Sequence, residues 1–119
     1  LGLILAVRRR RALMAGVTRW QDIALREPGW PKDATAVGNA WLNQFEVPVL
    51  FYALVLATAV AGVGDGLLLA LAWAFVALRA LHSLIQCTYN RVMHRFSVYA
   101  LATLALFIYT GRLAWILAG

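Results

Sequence analysis

Three sets of polar residues interrupt an otherwise apolar chain, and each set has helical spacing. Asn39, Asn43 and Glu46 recur at i, i+4 and i+7, Arg79, His82, Gln86 and Asn90 at i, i+3, i+7 and i+11, and Arg95 and Tyr99 stand four apart. On a continuous α-helix each set shares one face. Singly, each has a structural explanation: Glu46 and Arg79 as an ion pair clamping two helices, His82 as a packed core histidine, Tyr99 as an interfacial aromatic. Packing, however, needs only one satisfied pair. Three helices contributing acid, bases, amides and a phenol make the parts of a polar pocket.

The elements that must position these residues are membrane helices. The chain has 119 residues, of which 63% are hydrophobic and 13% charged, against about 25% charged in an ordinary soluble domain. A small fold buries only about 60–70% of the surface its unfolded chain exposes, so the excess apolar surface has to face lipid. The net charge of +6 raises nucleic acid as a partner, but the placement of the charge excludes that reading. Arg8, Arg9, Arg10 and Arg11 directly follow the apolar run 1–7, and Arg19, Arg26 and Lys32 follow in the same polar connection. That is where cytoplasmic loops of membrane proteins carry their positive excess, and no aromatic base-stacking platform accompanies it.

Hydropathy predicts an all-α, integral membrane four-helix bundle in one transmembrane domain over 1–119, with helices at about 1–15, 36–62, 67–89 and 95–117. The first helix is expected to be truncated at its N-terminus, because the chain opens inside an apolar run. A signal peptide is not expected, since the arginines follow that run. Residues 8–35 read as a polar loop with the turn run Glu27-Pro28-Gly29-Trp30-Pro31, Trp20 and Trp30 sitting at headgroup level. Pro48 is expected to bend the second helix, having no backbone donor. Gly62, Gly64 and Gly66 form a tight turn around Asp65.

Connection charges orient the bundle. The first connection carries the arginine run and the third Arg91 and Arg95, whereas the second holds only Asp65. The positive-inside bias puts the first and third at the cytoplasmic face, and with them all three polar sets, which are expected to converge there. An ionised side chain facing lipid costs about 2.5–3.5 kcal/mol on the mildest scale, so Glu46 and Arg79 are expected to point inward. The single Cys87 fits a reducing compartment and excludes an internal disulfide. Its spacing of five from His82 puts the two on different faces, which argues against a protein-borne thiol nucleophile. No metal-ligand spacing or phosphate loop is present. A proton or ion path through Glu46, Arg79 and His82 would need further acids along the far halves of the helices, and there are none.

The runs Asn43-Gln44-Phe45-Glu46-Val47-Pro48, Arg79-Ala80-Leu81-His82 and Tyr89-Asn90-Arg91-Val92-Met93-His94-Arg95 resemble the MAPEG family, the membrane-associated proteins in eicosanoid and glutathione metabolism, most closely its bacterial members. The resemblance covers essentially the whole chain. It implies a homotrimer in the bacterial inner (cytoplasmic) membrane, with glutathione as co-substrate held between subunits near the cytoplasmic face. It implies that Asn43 and Glu46 hold the tripeptide, that Arg79 and His82 belong to the same site, and that Tyr99 contacts the bound peptide. Arg95 would stabilise the thiolate, with Arg91 a second candidate for that role. The implied activity is a transferase or peroxidase acting on a lipophilic small molecule. Two positions depart from the family pattern: Asn39 replaces a frequent arginine and Gln86 a frequent tyrosine. Both changes remove groups that would grip a peptide, and they motivate an alternative, a non-catalytic lipid-binding or partner-presenting membrane protein of the same fold.

Overall fold

A computed structural model describes residues 1–23 and 29–119; Arg26, Glu27 and Pro28 of the expected loop lie outside the described residues. Every regular element among those described is helical: α1 (Gly2–Met14), α2 (Lys32–Leu42), α3 (Val47–Ala61), α4 (Gly66–Cys87) and α5 (Val92–Ala118), with short 3₁₀ turns at Trp20–Ile23 and Asn43–Phe45. Three stretches are long and apolar enough to cross a bilayer, Lys32–Ala61, Gly66–Cys87 and Val92–Ala118. Their outward side chains are apolar and large, Trp73 and Phe107 being 67% and 71% exposed, as a lipid-facing surface requires. The chain divides into two compact units, Leu1–Gln44 and Phe45–Gly119.

In the first unit α1 and α2 run antiparallel and meet on small residues. Gly2 lies against the ring of Trp41, where an added Cβ would come within 3.1 Å, and Gly38 faces Leu5 and Arg9. Leu5, Ala12, Ala34, Val37 and Ala40 fill the seam. α1 ends at Met14 with Ala15 as its cap, and the following Gly16 has φ +72°, the left-handed conformation that glycine adopts without a Cβ penalty. Beyond it, buried Thr18 donates from Oγ1 to the Gly29 carbonyl at 2.7 Å.

The expected second helix, 36–62, is not continuous. α2 stops at Leu42, a 3₁₀ turn follows, and Glu46 takes φ −100° and ψ −110° before α3 begins. Pro48 explains the restart. It lies in the first turn of α3, where a missing N–H leaves no helical bond unmade, so it opens a helix here and does not bend one. α3 ends at Gly62 with φ +66°, the Gly62 and Val63 amides returning to the Ala59 and Thr58 carbonyls.

In the second unit α4 and α5 pack most extensively, and α3 packs against both. Phe51 stacks on Phe75 with ring centroids 4.4 Å apart, beside Ala102 and Leu106 of α5. Nearer the Gly62 turn, the Thr58 and Tyr109 hydroxyls hydrogen-bond at 2.8 Å. Asp65 closes this end. Its Oδ1 caps α4 by accepting from the Leu68 amide at 2.8 Å, and its Oδ2 accepts from Arg112 Nε and Nη2 at 2.9 and 2.6 Å. The backbone donor and the guanidinium hold the Asp65 carboxyl below its ordinary pKa of 3.8.

Two outcomes follow. A carboxyl with a depressed folded pKa stabilises the fold above its unfolded value and loses that contribution as pH falls through the lower folded value. The thermal stability of the wild type should therefore fall as pH drops from about 4 downward, and Asp65→Asn should remove that part of the slope while lowering stability at neutral pH. Tyr109→Phe, which deletes the hydroxyl bridge to Thr58, should cost about 0.5–1.5 kcal/mol, measured by denaturation in detergent.

Candidate functional site

Residues that combine polarity with burial mark the site. In the second unit they are Arg79, His82 and Gln86, only 5%, 4% and 2% exposed. The i, i+3, i+7 spacing puts all three on one stripe of α4, and α5 covers that stripe. Tyr99 of α5 faces it, its ring centroid 6.0 Å from that of His82 and 6.0 Å from Arg79 Cζ. Arg95, one turn earlier on α5, lies within electrostatic reach of His82, as does Arg79. Glu46, Tyr52 and Tyr99 lie within electrostatic reach of Arg79. Guanidinium, imidazole and phenol thus gather at the end of the unit opposite the Asp65 turn, with the exposed Glu46 carboxylate within electrostatic reach.

The α4–α5 connection anchors one of these groups. Asn90 was expected to continue the polar face of the third helix, but α4 ends at Cys87. Asn90 instead adopts φ +51° and returns its amide to the Ile85 carbonyl at 2.8 Å. Asparagine tolerates this left-handed conformation better than most residues. From there its Oδ1 accepts a 2.8 Å hydrogen bond from Arg95 Nη1. Arg91 is exposed at the cap of α5. Tyr89 and His94 pair beside it through a 3.0 Å hydroxyl–Nδ1 hydrogen bond.

Not every expected site residue joins the cluster. Glu46 does not share a continuous helical face with Asn39 and Asn43, because the helix breaks between them; it stands exposed at the start of the second unit. Asn43 caps α2 with its amide bonded to the Asn39 carbonyl, so these two remain neighbours in the first unit, Asn39 exposed and Asn43 half-buried. Two residues escaped sequence reasoning, Thr103 on α5 and Tyr52, which lies within electrostatic reach of Arg79. Thr103 continues the Arg95–Tyr99 stripe at i+8, a helical signal that was available. Tyr52 stands apart from any polar set and had no such signal.

The cluster's chemistry lies in its unmet hydrogen bonds. His82 Nδ1, Arg95 Nε and Thr103 Oγ1 are buried without a hydrogen-bond partner among the described residues. Leaving such a group unsatisfied costs about 1–3 kcal/mol, which a packed core normally avoids. Such groups could serve a polar ligand, the guanidinium edge donating to an anion and the imidazole donating or accepting according to its tautomer.

Comparison with known proteins agrees with the membrane character of the fold. The model of the MAPEG family matches residues 1–115. The chain belongs to the MAPEG family. This MAPEG protein is therefore a multi-pass membrane protein of a family concerned with eicosanoid and glutathione metabolism, and its buried polar cluster lies within the matched region. No curated protein and no solved structure gives a match.

If the cluster exists for a ligand, it need not support the fold. His82→Leu, which replaces an unsatisfied imidazole by an apolar side chain, should leave unfolding stability unchanged within about 1 kcal/mol or raise it. A loss well beyond that in thermal denaturation would identify His82 as a structural residue.

Proposed function

We infer that this MAPEG protein is a membrane-embedded, glutathione-dependent transferase or peroxidase acting on lipophilic substrates. The observation that carries this reading is the buried stripe Arg79, His82 and Gln86 against Tyr99 and Arg95, with unpartnered polar atoms on His82 and Arg95. Glutathione suits such a donor set. Its carboxylates match guanidinium groups in charge and geometry, and its ammonium group matches Glu46. Asn39, Asn43 and Arg91 complete the proposed set of binding residues, contributed across a homotrimer in which adjacent subunits share each site.

Arg95 is the proposed catalytic residue. A thiol ionises near pH 8.5, and an adjacent guanidinium favours the thiolate, which is the nucleophile. Arginine suits the task because it stays charged in a dry site. The thiol proton leaves to solvent. In the transferase reaction the sulfur then forms a bond to an electrophilic carbon as the leaving group departs or the adjoining double bond accepts a proton. In the peroxidase reaction two glutathione molecules are oxidised to their disulfide while the peroxide is reduced to alcohol and water. The apolar substrate reaches the thiolate from the bilayer, and the arginine-rich connection faces the cytoplasm of a bacterial inner membrane.

Arg95→Leu should lower kcat on the order of 10²–10³-fold and abolish the ultraviolet absorbance of the bound thiolate while leaving the oligomer intact. Unchanged turnover would refute the role. A second reading, a non-catalytic lipid-binding or partner-presenting protein, draws support from Gln86, a buried amide where the family resemblance implies a tyrosine. Ligand binding to the folded state raises its melting temperature by mass action; a shift at millimolar glutathione supports the enzyme, and no shift supports the second reading.

A further inference from the structure

The first unit carries a separate constellation that the proposed glutathione site does not use. A pocket of about 550 Å³ opens between α1 and the Trp20–Ile23 turn, lined by Arg9, Arg10, Leu13 and Met14 of α1 and by Trp20 and Trp30. Its volume is in the range of small-molecule sites. We propose that this pocket binds the headgroup and upper acyl chain of an anionic phospholipid, the phosphate between Arg9 and Arg10 and the chain along Met14 and Trp20.

The four consecutive arginines do different jobs because a helix rotates each by about 100° from the last. Arg8 donates from Nη1 to the Asp33 carbonyl at 2.9 Å. Arg9 lies over the ring of Trp30, Cζ 5.0 Å from its centroid. Stacking occupies the guanidinium face and leaves its N–H edge for in-plane donation. Arg10 joins it at the pocket, whereas Arg11 is exposed elsewhere on the helix.

Charge and polarity select the occupant. The unit Leu1–Gln44 holds seven basic and three acidic side chains. No carboxylate is among the pocket's described lining residues, and the Asp22 carboxylate is engaged by the Arg19 amide at 3.0 Å. An anion is therefore favoured. A free phosphate, however, would gain nothing from the apolar wall, where Met14 and Trp20 are 79% and 73% exposed. Water is a poor solvent for such a wall, whereas tryptophan beside basic residues suits the headgroup boundary of a bilayer. An anionic amphiphile matches both halves.

The test uses the full chain in phosphatidylcholine vesicles with Trp41, Trp73 and Trp115 replaced by Phe, so that Trp20 and Trp30 report. Bromine-labelled phosphatidylglycerol should quench them at several-fold lower mole fraction than bromine-labelled phosphatidylcholine. Arg10→Gln should reduce that preference about fivefold, with helical circular dichroism unchanged, and Arg11→Gln should have a much smaller effect. Native mass spectrometry of the unmodified chain should show retained phosphatidylglycerol over phosphatidylcholine, which keeps the comparison independent of the tryptophan replacements. Equal quenching by both lipids, or equal losses for Arg10→Gln and Arg11→Gln, would overturn the site in favour of diffuse surface attraction. Relief of quenching by millimolar inorganic phosphate would overturn the lipid as occupant.

Discussion

A guanidinium or imidazole on a membrane-spanning helix has to be covered by protein, and this constraint organises the larger unit. Arg79, His82 and Gln86 lie near one end of a helix built mainly from leucine, alanine and other apolar residues. Exposing an ionised group to hydrocarbon costs several kcal/mol, more than most single packing contacts return. α4 accordingly turns that stripe away from the lipid-facing surface and against α5. The same rotation sends Phe75 toward Phe51 and places Leu68 beside Tyr109 and Leu113. The apolar core is thus phased by its polar residues.

The two ends of this unit handle charge in opposite ways. At the Gly62–Gly66 turn, Asp65 caps a helix and accepts two donors from Arg112. Each partner there meets the other's demand, and the result is a tie between a turn and the last turns of α5. At the opposite end cationic groups predominate, and polar atoms of His82, Arg95 and Thr103 are buried without partners. A site that must receive a polar molecule carries this kind of local deficit, because full internal satisfaction would leave no donors to offer. Asn90 limits the deficit by fixing one arm of Arg95.

The break at 43–46 shows how a membrane segment can be continuous in hydropathy and discontinuous in backbone. Glu46 leaves helical geometry immediately before a helix whose first turn holds Pro48. A helix running through both would have to give up the hydrogen bond of the proline nitrogen and crowd the preceding turn. Restarting at Val47 avoids both costs and frees Glu46 from the phase that Asn39 and Asn43 share.

The sequence by itself determined the membrane class, the three long spans, the turn at Asp65 and the polar stripes of α4 and α5, because each depends on local composition or on helical period. Arg79, His82 and Gln86 were legible for that reason, as Thr103 would have been. Tertiary structure alone decided what those stripes meet. The bond from Arg95 to Asn90 depends on a left-handed turn residue, the pairing of Arg112 with Asp65 joins positions 47 apart, and the stacking of Arg9 on Trp30 brings α1 against the segment that precedes α2. Hydropathy averages over many residues and is blind to a single proline restarting a helix. Periodicity fixes the face of a residue but not its partner, which is set by the crossing of helices that the chain brings together only when folded.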